Sequence, residues 1–421
     1  MGGEAGVTRL PLHRVVAAVS AGTSVNSEDR PCGAGEIGVL KTSAVAAGHF
    51  LPDEHKAITV ADRPRASCPV QAGTIIVSRM NTKELVGESG FVDQDHPALF
   101  LPDRLWALTP ARDVWPRWLG HLLASDQVRS EIGRRATGTS GSMKNLSQPA
   151  LLGIEVHVPS LPEQRRIAAV LDAWDAAIAL NERFVAAKQR RRDGVRQELM
   201  APAFSAKMRR DGWSRMSITD LADIRGGGTP SSGEPTYWNG DVVWCTPTDL
   251  TGLPTRFLGS TAKTITQQGL RASAASVLPA GSIILCSRAS VGECAISMIP
   301  MATNQGFQSL VPHHAGDAPF LYHLMRHAKS QLLRISAGST FLEFGRNELR
   351  RMKVALPEPA LRAQIGSALD ALTDEIDLLA ARTDLLRTQK RGLMQRLLTG
   401  RTRVPETIDA LMPAPPREAT E

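Results

Sequence analysis

Basic, hydroxyl and amide side chains gather at corresponding points in the two halves of a 421-residue chain. The first half offers Lys41, Thr42, Ser43, Arg63, Arg65, Arg79, Ser142, Lys144 and Asn145. The second offers Arg225, Thr246, Thr248, Arg256, Arg288, Arg346 and Asn347. Arginine and lysine suit phosphate oxygens and guanine edges, whereas asparagine, serine and threonine reach adenine or several bases. Any one of these residues alone reads as a solvated surface charge. Their clustering at matching points is what directs attention to double-stranded DNA. A net charge of +7 and a pI of about 9.4 agree with an acidic partner. Aromatics make up only 5% of the chain, too few for a protein that works mainly by stacking single-stranded bases.

The sequence lacks the signatures of an independent catalyst. There is no GxxxxGK[ST] phosphate loop. Gly226-Gly227-Gly228 runs into Thr229-Pro230 and not into a helix, so it is no dinucleotide cradle. Glu54-His55-Lys56 supplies the acid-x-lysine pair of a metal-dependent nuclease, but Asp53 abuts it in a loop and the second half has no equivalent. His313-His314 near Cys294 lacks a third ligand at sensible spacing, so no metal site is expected. His121 and His323 hold equivalent places on apolar helices and read as packing residues. Cys32, Cys68, Cys245, Cys286 and Cys294 form no CxxC pair and read as reduced thiols. No apolar run reaches the length of a membrane span, the first residues form no signal peptide, and position six lacks the hydroxyl of a myristoylation start. These readings together place the chain in the cytoplasm.

Two long helical stretches must carry and space these residues. One runs from Pro159 to Leu199 and the other from Pro357 to Leu397, and a shift of 198 positions superposes them without a gap. Ile167, Leu171, Trp174 and Ile178 set up a four-three apolar repeat in the first, continued by Val185, Val195 and Leu199. Ile365, Leu369, Leu372, Ile376 and Leu379 do so in the second, continued by Leu386, Leu393 and Leu397. A heptad seam of this length predicts that the two helices pair. The 38 residues from Glu163 to Met200 make a rod roughly 57 Å long. Antiparallel pairing sets Asn181 opposite the Leu379–Thr383 turn, where its amide meets the Thr383 hydroxyl, and sets Ile167 near Leu393 and Leu397. Parallel pairing leaves both polar groups poorly satisfied, so the antiparallel arrangement is expected.

Before each helix lies a block of about 150 residues, and the two blocks share an order of features. Ile75-Ile76-Val77 corresponds to Ile283-Ile284-Leu285, and Trp118-Leu119-Gly120-His121-Leu122 to Phe320-Leu321-Tyr322-His323-Leu324. Short β-branched runs broken by glycine and proline predict an α+β fold with mixed or antiparallel strands. The expected division is 1–158, a globule; 159–205, a helix; 206–356, a second globule; 357–400, a second helix; and 401–421, a loose tail.

This layout resembles the specificity subunit of Type I restriction–modification systems. The residues that carry the resemblance are Arg225-Gly226-Gly227-Gly228-Thr229-Pro230, then Tyr237-Trp238, Val242-Val243-Trp244 and Ala302-Thr303-Asn304-Gln305-Gly306-Phe307. The Gly-Ser-Thr loop at 338–340 and the proline-rich helix entrance at 159–167 complete it. Glu163-Gln164 has no counterpart at Leu361-Arg362, and the first block degrades Asn-Gln-Gly-Phe to Gln94-Asp95-His96-Pro97. The resemblance implies two target recognition domains and two spacer helices in an antiparallel coiled coil with a pseudo-two-fold repeat. It further implies a non-catalytic chain that reads a bipartite DNA site and docks two methylation subunits. S-adenosylmethionine, ATP and Mg²⁺ would belong to those subunits and to a restriction and translocase subunit. A self-sufficient methyltransferase or nuclease, a related phage-defence subunit, and a helical adaptor that never meets DNA are the rival readings.

Overall fold

The computed structural model describes residues 8–138, 143–204, 212–336 and 342–412. It separates into two compact units, residues 1–180 with 384–421 and residues 181–383. Two helices, α3 (Leu161–Phe204) and α6 (Pro359–Leu398), each contribute one half to either unit. The unit boundary therefore runs through the helices and not, as the linear division has it, around them.

The first unit holds β1 (Thr8–Pro11), β2 (Val16–Ala21), β3 (Gly38–Leu40), β4 (Gly48–Phe50) and β5 (His55–Ile58). It continues with β6 (Ile75–Ser78), β7 (Ser89–Phe91), β8 (His96–Phe100), β9 (Leu105–Pro110), α1 (Pro116–Ala124), α2 (Asp126–Arg135) and β10 (Glu155–Val158). The second repeats that series with β11 (Trp213–Ser217), β12 (Ala222–Gly226), β13 (Trp238–Cys245), β14 (Phe257–Leu258) and β15 (Lys263–Ile265). Then come β16 (Ile283–Leu285), β17 (Cys294–Ser297), β18 (Ala302–Thr303), β19 (Gln308–Pro312), α4 (Ala318–His327), α5 (Lys329–Ile335) and β20 (Lys353–Pro357).

Every strand of the first series finds its counterpart ten labels later. The main sheet has the order β2-β9-β6-β7-β4 in one unit and β12-β19-β16-β17-β14 in the other. In both, the last of these pairs is parallel and the rest antiparallel, and the first unit adds an edge strand, Val45–Ala46, antiparallel to β4. A smaller sheet, β5-β3-β8 or β15-β13-β18, repeats in the same way with one parallel pair. The first and last strands of each globule pair antiparallel, β1 with β10 and β11 with β20. β6 and β16 are buried at every position, which explains why they read as unbroken apolar runs and not as alternating ones. Gly73 and Gly281 turn the chain into them with φ of 78° and 83°, a conformation that favours glycine. The fold is thus a duplicated α+β unit with mixed sheets.

Within each unit the helix halves run antiparallel. Ile167, Ala168 and Leu171 share the first core with Leu393, Met394, Leu397 and Leu398, and Lys390 Nζ lies 2.6 Å from Asp175 Oδ1. Val195, Leu199, Met200 and Ala203 share the second core with Ile365 and Leu369, and Lys188 Nζ lies 2.6 Å from Glu375 Oε1. Asn181, 5% exposed, donates to the Thr383 hydroxyl and to the Leu379 carbonyl, both at 2.7 Å. Ile178 and Ile376 are buried, whereas Trp174, Leu372 and Leu379 are half-buried. Thr373 takes the buried place expected for Leu372, its hydroxyl satisfied by the Leu369 carbonyl at 2.8 Å.

A pair of anchors ties each globule to its helix. His121 Nε2 lies 2.9 Å from Asp172 Oδ1, and His323 Nε2 lies 3.0 Å from Asp370 Oδ1. Arg117 adds a 3.4 Å contact to Asp172, while Arg256, 6% exposed, meets Asp370 at 3.2 Å and Asp374 at 2.6 Å. At the helix entrance Gln164 does have a counterpart in Arg362, contrary to the sequence comparison. Gln164 accepts from the Trp115 amide at 2.8 Å and donates to the Pro159 carbonyl at 2.9 Å. Arg362 grips Asp317 at 2.8 and 3.2 Å and donates to the Pro357 carbonyl at 3.0 Å. A neutral amide and a buried ion pair hold the same joint. Residues 401–412, expected as a loose tail, instead pack on the first unit: Val404 is buried, its amide donates to Glu163 at 2.9 Å, and Arg166 lies 3.5 Å from Glu406.

These joints yield two predictions. Asn181→Ala should cost roughly 1–3 kcal/mol. Asn181→Leu combined with Thr383→Val should cost less than the sum of the single losses in urea unfolding; strict additivity would deny that the two side chains are coupled. Burial pushes His323 below the ordinary imidazole value against the opposing pull of Asp370. The unfolded chain therefore takes up the proton first, and stability should fall as pH drops through about 6.5, by up to about 1.4 kcal/mol per pH unit. Melting curves of wild type and His323→Gln between pH 7.5 and 5.5 test this, and a wild type that gains stability relative to the variant on acidification would contradict it.

Candidate nucleic-acid interface

In the second unit, chain segments far apart in sequence converge at the C-terminal end of β12. Gly227 and Gly228 follow that strand so closely packed that a Cβ would come within 2.1 Å of Asn304 O and 2.4 Å of Ala275 N. Only glycine fits there. The Gly228 amide donates to Thr303 O at 2.9 Å, and Trp244 Nε1 donates to Gly228 O at 2.9 Å. The Thr229 hydroxyl bonds Gln305, and Asn304 caps its own loop by accepting from the Gly306 amide at 2.9 Å. The two motifs singled out in the sequence, residues 225–230 and 302–307, thus form one structure. Gln308 opens β19 directly after them and pairs with Gly226 across the sheet.

Four of the second-block residues lie around this point. Arg346 brings Nη2 to 3.7 Å of where a Gly226 Cβ would stand. It is exposed and has no ion-pair partner among the described residues. Asn347, also exposed, is its neighbour in the short helix Arg346–Arg351. Arg225 leaves the end of β12 and leans toward Asp223 at 3.3 Å. Arg288 follows β16, bridges to Glu343 through its backbone and sits 3.9 Å from that carboxylate. Thr246 and Thr248 follow β13. The Thr246 amide and hydroxyl both bond Asp249 Oδ2 at 2.7 Å, so this threonine caps a helical turn.

The first unit places its residues equivalently with different chemistry. Arg79 follows β6, and the Met80–Asn81 pair runs antiparallel to Lys144–Asn145, which brings Arg79, Lys144 and Asn145 together. The Arg79 guanidinium lies 5.4 Å from the Trp106 ring centre. Lys144 Nζ reaches the Gly138 carbonyl at 3.2 Å. Lys41, Thr42 and Ser43 follow β3, as Thr246 and Thr248 follow β13. Glu54 accepts from Ser43 at 2.6 Å and faces Lys41 at 3.7 Å, and these contacts hold its carboxyl below the ordinary value. Ser142 and the loop at 338–340 lie outside the described residues.

Three arginines of the basic set serve the fold. Arg256 turns inward to the acids of α6, Arg63 faces Glu36 at 3.5 Å, and Arg65 meets Asp62 at 3.0 Å. Asp172 and Asp370 are repeat equivalents at the 198-residue offset, as His121 and His323 are at their own, so the two contacts are one joint made twice. Matching offsets in the two copies were the available signal. Among the described residues, His121, Asp172 and Asp175 come close enough to suggest a cation site, but Lys390 sits 2.6 Å from Asp175 and supplies the positive charge itself. Burial pushes the Cys286 and Cys294 thiols up to about 12, which leaves them unreactive. No described helix is long and apolar enough to cross a membrane.

Duplicated globules, each with a polar, basic sheet end and each anchored to a shared helix pair, define a class of paired recognition modules. The family model for the Type I restriction modification DNA specificity domain matches residues 54–186 and 210–387, and the chain belongs to that family. It is 33% identical over 167 residues to the Type I restriction enzyme MjaIX specificity subunit of Methanocaldococcus jannaschii, covering 39% of each chain. It is 25% identical over 227 residues to the EcoR124I/EcoR124II specificity subunit of Escherichia coli, covering 52% of this chain and 54% of that one. These matches therefore span about two-fifths and about half of the two relatives. The fold is that of a Type-I restriction-modification system S subunit from M. genitalium, with TM-score 0.57, 14% identity and coverage of 94% and 97%. A chain solved in work on complex assembly and conformational transition of the type I R-M system superposes with TM-score 0.60 at 18% identity, covering 94% and 99%.

The division of labour among the arginines is testable by paired substitutions. Arg256→Ala should lower the melting temperature, because it strips several partly buried carboxylates of their cation. Arg288→Ala should leave melting within about 0.5 kcal/mol of wild type, yet weaken DNA binding and reduce the slope of log affinity against log salt by about one. The reverse pattern in melting and filter-binding titrations would contradict the assignment.

Proposed function

We propose that the chain is the non-catalytic DNA-reading subunit of a Type I restriction–modification complex, working in the cytoplasm. Its two globules read the two halves of a bipartite, asymmetric site, and the helix pair spaces the halves and docks two methylation subunits. Those subunits supply the S-adenosylmethionine chemistry, and a restriction subunit adds ATP- and Mg²⁺-dependent translocation and cleavage. The observation that carries this reading is the duplicated strand order with differing polar side chains at equivalent positions. One frame with two side-chain sets is what two different half-sites require. Lys41, Thr42, Ser43, Arg79, Ser142, Lys144 and Asn145 belong to the first reader in this proposal, and Arg225, Thr246, Thr248, Arg288, Arg346 and Asn347 to the second. Family membership supports the DNA-specificity role itself.

Exchange of residues 1–157 for the equivalent segment of another such subunit tests independence of the readers. Recognition of one half-site should change while the other stays intact, and affinity should fall steeply with salt through phosphate contacts. Both half-sites changing together, or binding indifferent to salt, would contradict the proposal.

A further inference from the structure

Gln308 was no part of the basic set, yet it stands at the centre of the converged loops. Neither end of its amide is hydrogen-bonded among the described residues, and its Oε1 is buried without a partner. Buried amide oxygens are ordinarily satisfied by protein or ordered water, so an orphan at this place leaves the amide free to take a partner from outside the chain. Ser287 and Ser309, fully buried beside it in the fold, also carry hydroxyls without partners. A Cβ at Gly226 would stand 3.8 Å from both amide atoms of Gln308 and 3.7 Å from Arg346 Nη2, so the glycine sets the two heads side by side.

The equivalent position in the first unit is informative. Leu108 pairs with Ile75 as Leu310 pairs with Ile283, so Trp106 is the counterpart of Gln308. Trp106 is 2% exposed beneath the Arg79 guanidinium, and its indole Nε1 is likewise buried without a partner. The same register thus presents a different polar head in each unit, an indole N–H in the first and an amide in the second.

Gln308 and Arg346 form an adjacent amide and guanidinium, the two side chains that bind purines in a bidentate manner in the major groove. The glutamine amide accepts from adenine N6–H and donates to N7, and the guanidinium donates to guanine O6 and N7. A half-turn about the terminal torsion would only exchange oxygen and nitrogen, so the bidentate contact requires the side chain to swing to another rotamer about its inner torsions, which turns both amide atoms toward the base edge. The geometry points to Gln308 as the residue that specifies an adenine in the second half-site, with Arg346 specifying a neighbouring guanine; this rests on the proposed DNA-reading function.

Selection of bound duplexes from a randomised pool by the full-length chain, as wild type and as Gln308→Ala and Gln308→Glu, tests the assignment. Wild type should return adenine at one position of one half-site. Gln308→Ala should lose discrimination there by roughly tenfold or more, and the near-isosteric Gln308→Glu should shift preference toward cytosine, whose amino group a carboxylate accepts. The other half-site and the salt slope should not move. Arg346→Ala should relax an adjacent guanine only. An unchanged consensus in the folded Gln308→Glu protein would overturn the assignment while leaving DNA reading intact. A wild type that selects no sequence would overturn the DNA-reading proposal itself.

Discussion

A histidine–aspartate contact, made once in each unit, is the joint on which the architecture depends. His121 and His323 come from the short helices of the globules, and Asp172 and Asp370 from the long helices. Much of the remaining contact between globule and helix is apolar packing, which is strong but non-directional. A polar joint with a buried imidazole fixes rotation and register where packing alone permits slippage. Arg117 and Arg256 reinforce the same aspartates, and Gln164 and Arg362 lock the helix entrances a turn or two away. The loops at the sheet ends can then vary without disturbing the joint, because none of these residues lies where the loops converge.

The helix pair is held in register by the same physical logic. Heptad seams of leucine and isoleucine permit sliding by a heptad, and a buried polar pair removes that freedom. Asn181 and Thr383 meet near the centre of both helices, with Lys188–Glu375 and Lys390–Asp175 further along. As residue numbers rise on one helix they fall on the other, the signature of antiparallel pairing.

Much of this was legible in the sequence. The 198-residue offset showed the duplication, the four-three spacing located the helices, and the isolated polar residues Asn181 and Thr383 indicated direction. Strand identity followed from unbroken apolar runs at 75–77 and 283–285. Other features were not accessible. Arg256 reads like any surface arginine, and only the fold reveals the acids of α6 around it. The equivalence of Gln164 with Arg362 is hidden because one joint uses a neutral amide and the other a charge. Residues 401–412 look like tail by composition, but Val404 and Ile408 pack on the first core, and the Val404–Glu163 and Arg166–Glu406 contacts add polar ties. Gln308 lay inside a strand, where a side chain's exposure depends on neighbours far away in the chain. Tertiary contacts of this kind leave no local periodicity to read.

The central claim of the proposal is that the duplicated unit supplies two independent readers of DNA. Mapping methylated bases in DNA from cells that contain this chain with the proposed methylation subunits tests it most directly. The account predicts an interrupted sequence, two short groups of specified bases separated by a gap of constant length. A single continuous recognition sequence would contradict it.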